Sequence, residues 1–294
     1  MIIYVKELEE KKPMYTLFNI LKAEKIEDKA FIYLPINKKS SKRKIEKVFE
    51  KLSKYLYNNN LKNIVLEKEL MQNEKAKNIL YSNNINILDG ETLSRYLIYI
   101  VIQKIYEYKN KKIEAGEITL LINENDPINT ETIKQIAQNV KRLNIITNNI
   151  KKFRKIVEYL YNELGILIKL SNNIKTNLKS TDIIVNIDFP EELINKLEIP
   201  NQAIILNIPK NININTKKFA GINIKTWETQ IPEEYKLESF ETKTIYEASL
   251  YKKPVNKIFE QIQNDNIKIV NLIGVNGIIN PKEFNQIYLT KNIL

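Results

Sequence analysis

Residues 117–170 read EITLLINENDPINTETIKQIAQNVKRLNIITNNIKKFRKIVEYLYNELGILIKL, and this stretch decides the fold. Three short apolar runs, at 117–122, 144–147 and 166–170, alternate with two amphipathic segments at 129–140 and 151–164. Apolar runs without internal alternation suit strands covered on both faces, and the helical segments supply the crossovers that parallel strands require. The cadence continues through a strand at 182–187, a helix at 190–197 and strands at 203–208 and 222–224. Six strands with helical crossovers predict a doubly wound, mostly parallel sheet.

Upstream, the first 110 residues show the same βα alternation, with strands expected at 2–5, 30–34, 63–66 and 86–88. The segment 41–57 places Ile45, Val48, Phe49, Leu52, Tyr55 and Leu56 at helical spacing, with Lys44, Lys47, Lys51 and Lys54 along another face. That pattern is a helix with one buried and one basic side. Asp89-Gly90 breaks the strand before it, and 91–109 reads as a long helix in which Leu93, Tyr96, Leu97, Ile100, Val101 and Ile105 are apolar almost all round. Such a helix needs cover on every side, so burial between two domains is expected. The polar stretch 109–116 marks the boundary. The domains expected are an N-terminal α/β domain at 1–112 with connecting helix 91–109, a second α/β domain at 113–231, and an extension at 232–294 packing on both. In the extension, a helix at 255–263 precedes a hairpin whose turn is Asn276-Gly277, between apolar runs at 269–273 and 278–279. There is no internal repeat beyond the βα cadence.

The composition of the 294 residues limits the chemistry. His and Cys are both absent, which removes Ser-His-Asp triads, cysteine nucleophiles, imidazole bases and the usual zinc sites. No metal is expected. The longest purely apolar run, 96–102, is far short of the ~20 residues of a membrane span. The N-terminal residues lack the basic, apolar and small-residue regions of a secretory signal, so a cytoplasmic protein is expected. Lys+Arg number 46 against 35 Asp+Glu, a formal charge of +11, with most of the excess before residue 112. Only Arg43, Arg95, Arg142 and Arg154 are arginines; lysine gives affinity for anions without the planar fork that reads bases. The abundance of Lys, Asn and Ile also matches A/T-rich codons.

The order of parts, with DIIVNIDFP at 182–190, resembles the two-domain Rossmann dehydrogenases of the shikimate dehydrogenase and glutamyl-tRNA reductase type, over roughly residues 117–225. The resemblance implies a Rossmann-like second domain and a nicotinamide cofactor, with Asn186, Asp188 and Phe189 near the nicotinamide. It places Asn123 and Asn125 in the first βα turn, and Asn148 and Asn149 at the end of the second strand, where Lys151, Lys152 and Arg154 could meet a ribose 2′-phosphate. It also makes Lys38 or Lys39, in LPINKK at 34–39, candidates for the catalytic lysine.

The sequence departs from that family at the first turn. A diphosphate needs glycines there so that backbone N–H groups can approach it. Residues 123–129 read NENDPIN, and there is no glycine between Glu117 and Leu164. Pro127 removes a donor, while Glu124 and Asp126 would face phosphate charge but suit an unliganded helix N-terminus. Asn149 is expected to cap the helix that follows it. Three functions are compatible with these residues: a diverged binding or interaction protein without a cofactor, acting on a protein or small ligand; an NAD(P)-dependent oxidoreductase with an atypical loop; or a basic scaffold whose Lys44, Lys47, Lys51 and Lys54 meet anionic lipid or nucleic acid.

Overall fold

The computed structural model describes residues 1–8, 20–37, 39–173, 178, 181–200, 203–209, 212–214, 219 and 221–282. The chain divides into two compact units, one formed by 1–93 with 231–253 and the other by 94–230 with 254–294.

The first unit is built on strands β1 (Ile2–Glu7), β2 (Lys22–Ile26), β3 (Lys29–Leu34), β4 (Asn63–Leu66) and β5 (Asn86–Ile87), in the order β2-β3-β1-β4-β5. The β1–β3, β1–β4 and β4–β5 pairs are parallel, with Ile3 opposite Ala30 and Ile64, whereas β2 is an antiparallel edge strand. On one face, helices α1 (Lys42–Asn58), α2 (Lys68–Met71) and α3 (Glu74–Ser82) bring Val48, Phe49, Leu52, Leu56 and Leu80 onto Ile3, Val5, Ile64 and Leu66. Ser41 starts α1 by accepting a hydrogen bond from the Lys44 backbone N–H at 3.3 Å, as an N-cap serine should. On the other face, Tyr4, Phe31, Val65 and Leu88 pack against Phe240, Ile245 and Ala248.

That second face explains where the domain division departs from expectation. Alternate residues of buried strands are apolar in both directions, so a sheet with helices on one side only would leave Tyr4 and Phe31 in water. The segment 231–253 covers them, and it therefore belongs with the first unit instead of forming one C-terminal extension with residues 254–294.

Helix α4 (Glu91–Tyr96) is followed, after Leu97, by α5 (Ile98–Tyr108), so the long helix expected at 91–109 is interrupted. In the second unit lie β6 (Glu117–Leu121), α6 (Pro127–Asn139), β7 (Arg142–Ile146), α7 (Ile150–Leu164), β8 (Ile168–Ser171), β9 (Ile183–Asn186), α8 (Glu191–Ile194), β10 (Ile204–Asn207) and β11 (Ile222–Gln230). The chain continues through α9 (Thr242–Leu250) of the first unit and α10 (Val255–Asn264), β12 (Lys268–Gly274) and β13 (Gly277–Ile278) of the second.

The sheet of the second unit runs β13-β12-β11-β10-β9-β6-β7-β8. Its six parallel strands therefore lie in the order 3-2-1-4-5-6 counted within the unit, which is the Rossmann arrangement with a switch point between β6 and β9. Strands β12 and β13 extend the sheet antiparallel beyond β11, and Gly277 turns the hairpin at φ +105°, where a side chain would be strained.

Helices α5, α6 and α7 cover one face: Ile98, Val101 and Ile105 share a core with Ile133, Ile136, Phe153, Ile118, Leu120 and Leu272. Tyr96, Leu97 and Val101 are buried and Ile100 is half-buried. Within the second unit, Val101 packs in the core shared with α6 and β12, Ile100 packs against it, and Tyr96 meets Phe259 of α10 edge to face at 5.2 Å between ring centroids. Among the described residues no helix is long and apolar enough to cross a membrane.

Candidate functional site

In an open α/β sheet, ligands bind outside the carboxyl ends of the strands at the switch point. In the second unit that place is the turn after β6. Asp126 caps α6 by accepting from the Asn129 N–H at 2.9 Å, and Pro127 takes the first helical position, where its missing donor costs nothing. Arg95 pairs with the Asp126 carboxylate and donates to Asn129 Oδ1 at 2.9 Å. Asn129, itself buried, donates from Nδ2 to the Glu124 carbonyl at 2.6 Å, so the turn is held from inside by side chains.

The backbone N–H groups that would face a diphosphate already have a partner. Asp188, two residues beyond β9, accepts from the Asn123 N–H at 2.7 Å and from the Glu124 N–H at 2.8 Å, one bond to each carboxylate oxygen. Burial raises the Asp188 carboxyl above its usual range and nearby Glu124 adds to this; the two amides and Arg95 act in the opposite direction. Glu124 in turn pairs with Lys152.

The asparagines form a scaffold around this carboxylate. Asn123 Oδ1 accepts from the Asn148 N–H at 2.8 Å, and Asn125 donates to the Lys152 carbonyl at 3.0 Å while accepting from Thr130 Oγ1 at 2.9 Å. These bonds join the turn to the loop after β7 and to the first turns of α6 and α7. Asn149 occupies the N-cap position of α7, yet its side chain makes no capping bond, contrary to expectation; its backbone N–H goes to Thr147 Oγ1 at 3.0 Å. Asn186, fully buried, accepts from the Phe189 N–H at 2.9 Å and donates to Asn207 Oδ1 at 3.1 Å; Asn207 donates to Asn223 Oδ1 at 2.8 Å. An amide ladder thus runs across the ends of β9 and β10 to β11.

The structure brings Asn123, Asn125, Asn148 and Asp188 into one hydrogen-bonded group, with Asn186 and Asn149 at the ends of the adjoining strands. Arg95, Asn129, Asn207 and Asn223 complete these networks and were not singled out from the sequence; Arg95 is distant in sequence from every residue it holds. Lys39 is exposed in the turn after β3, its backbone N–H bonded to Asn37 Oδ1 at 3.0 Å, and Lys38 lies outside the described residues. On α1, Lys47, Lys51 and Lys54 are exposed and Lys44 is half-buried. Glu46 pairs across to Lys75 of α3 at 3.2 Å.

No protein-family model and no curated protein matches the sequence. Among solved structures, the chain is similar to the L-tryptophan dehydrogenase of Nostoc punctiforme, at 10% identity over 90% of this chain and 78% of that one, with a TM-score of 0.38. It is similar also to shikimate dehydrogenase 1 of Peptoclostridium difficile, at 12% identity over 90% and 97% of the two chains with a TM-score of 0.29. The ornithine carbamoyltransferase of Pyrococcus furiosus matches at 10% identity over 76% and 78%, with a TM-score of 0.33. The Rossmann-like assignment rests on the strand order of the second unit.

Proposed function

We propose that this is a Rossmann-fold binding or interaction protein that does not transfer hydride, because its dinucleotide turn is closed by its own carboxylate. The observation that carries the reading is Asp188 seated on the Asn123 and Glu124 amides. A diphosphate would have to displace that carboxylate and then lie beside Glu124 and Asp126, at a Coulomb cost of ~1–4 kcal/mol per close pair depending on solvation. Arg95 and Lys152, the cations beside the turn, are engaged with those same acids. The absence of glycine from 123–129 keeps side chains where backbone would need to approach the ligand. The partner is then a protein or a small ligand held elsewhere.

Calorimetric titration with NAD and NADP tests this. No dissociation constant tighter than ~10 μM, about −6.8 kcal/mol, is expected for either. A tighter constant overturns the reading and favours an NAD(P)-dependent oxidoreductase.

The exposed Lys47, Lys51 and Lys54 support a second reading, loose attachment to an anionic surface. Wild-type protein that fails to bind anionic vesicles or nucleic acid at ~50 mM salt, where counterion release favours association, removes it.

A further inference from the structure

A slot of about 270 Å³ opens on the helical face of the second unit, and none of its lining residues belongs to the turn after β6. One wall is Tyr96, the last residue of α4, with Tyr99, Ile100 and Gln103 of α5, spaced three, four and seven residues from Tyr96; Tyr99 and Ile100 lie one turn before Gln103 on α5. The opposite wall repeats that spacing on α10 and just beyond it, with Phe259, Ile262, Gln263 and Asn266. Gln135 of α6 joins them. Tyr96 and Phe259 meet edge to face at 5.2 Å between ring centroids and form an aromatic base, both buried, as is Ile262.

The polar residues that line the slot are Gln103, Gln135, Gln263 and Asn266, of which Gln103, Gln263 and Asn266 are exposed, together with Tyr96 and Tyr99. Among the described residues no Lys, Arg, Asp or Glu lines it, although 28% of the chain is charged. The Tyr99 phenol is raised above its usual range by burial and then by Glu114, while its hydrogen bond with Gln103 acts in the opposite direction. The volume falls just below the ~300–1,000 Å³ of drug-sized pockets, which suits one ring system and excludes a whole dinucleotide.

We propose that this slot binds an uncharged planar heterocycle with amide-type edges, of which the free nucleobases are the type. An apolar, aromatic interior takes the ring, and primary carboxamides match a lactam or amidine edge because each offers a donor beside an acceptor, the same geometry by which Gln and Asn read adenine. A charged ligand would enter without a counter-ion and lose solvation. The site is independent of the closed turn, so it stands or falls separately from the hydride-free binding role.

The test is an NMR titration of the full chain with adenine, uracil, 1,3-dimethyluracil and orotate, read from the slot residues. Adenine or uracil is expected to bind with a constant of about 0.1–1 mM, at least tenfold tighter than dimethyluracil, whose edges are blocked, and than orotate, which is charged. Ile100→Trp, which fills the slot, should abolish binding; Gln263→Leu, an exposed change that folding tolerates, should weaken it about tenfold. Each of the following results overturns the proposal: no binding of either base below ~10 mM, orotate or dimethyluracil binding as tightly as uracil, or unchanged affinity in Gln263→Leu. Slot signals that shift with protein concentration alone overturn it in favour of self-association.

Discussion

Both sheets end in a carboxylate at their switch points, and the two carboxylates differ in how they are held. In the first unit the switch lies between β1 and β4, where Glu67, the residue after β4, accepts the N–H of Glu7 at the end of β1 at 2.6 Å. In the second it lies between β6 and β9, where Asp188 accepts two N–H groups from the end of the β6 run. Glu67 has one amide and stands near the carboxylates of Glu7 and Glu69 with Lys6 as the opposing cation; burial is the main influence, and the carboxyl is pushed up to about 7. Asp188 has two amides and Arg95, and burial raises it against both. Donor count and neighbouring charge thus distinguish two groups in equivalent topological places: burial raises both carboxyls, Glu67 to about 7 with one amide on it, and Asp188 against two amides and Arg95.

The largest effect expected from this contrast is on the pH dependence of stability. A carboxyl raised in the folded state binds its proton more tightly than in the unfolded chain, so its stabilisation is complete below about 4.5 and is lost as the pH rises to about 7. The loss is about 2–3 kcal/mol once partial solvation is allowed for. Glu67→Gln keeps an acceptor for the Glu7 amide but cannot ionise. Urea denaturation at pH 5 and pH 8 should show the wild type losing stability between them and the variant losing that much less; parallel curves would dissolve the contrast.

Next is the cost of removing the Asp188 carboxyl group. Asp188→Ala leaves the Asn123 and Glu124 amides without their acceptor, but Glu124 is near solvent and water can replace part of the bond, so a loss of about 1–2 kcal/mol is expected. Asp188→Asn, which keeps an acceptor, should lose less than half of that. Equal losses would mean that packing, not the amide bonds, holds the residue.

The smallest effect is the control. Changing Lys44, Lys47, Lys51 and Lys54 together to Gln should move stability by no more than ~0.5 kcal/mol, since exposed charges contribute little. A larger change would show that the basic face of α1 is part of the fold.

The alternation at 117–170 was legible because buried parallel strands are apolar without interruption and Asp126-Pro127 marks a helix start in local chemistry. Strand β2, KAEKI, was not legible: it is an edge strand, mostly exposed, and carries no apolar run. The second half of β11, with alternating half-buried and exposed residues through TWETQ, was missed for the same reason. The attachment of 231–253 to the first unit depends on which apolar faces meet, and helical periodicity is silent on that. In the site, the missing glycines announced a closed turn, whereas the group that closes it sits 65 residues from Asn123 and is joined to it only by the β6–β9 pairing. Asn149 shows the converse: residue type and position suited a cap, yet the backbone at φ −129° and ψ 71° leaves its side chain without a capping bond.

The most direct measurement of the central claim is calorimetric titration of NADP into the wild type and into a Glu124→Gly, Asp188→Gly double variant under identical salt. The account predicts no constant tighter than ~10 μM for the wild type and at least tenfold tighter binding by the variant than by the wild type, because the freed amides then face the ligand and two carboxylates are gone. Wild-type binding tighter than ~10 μM, or a folded variant with no gain over the wild type, would contradict it.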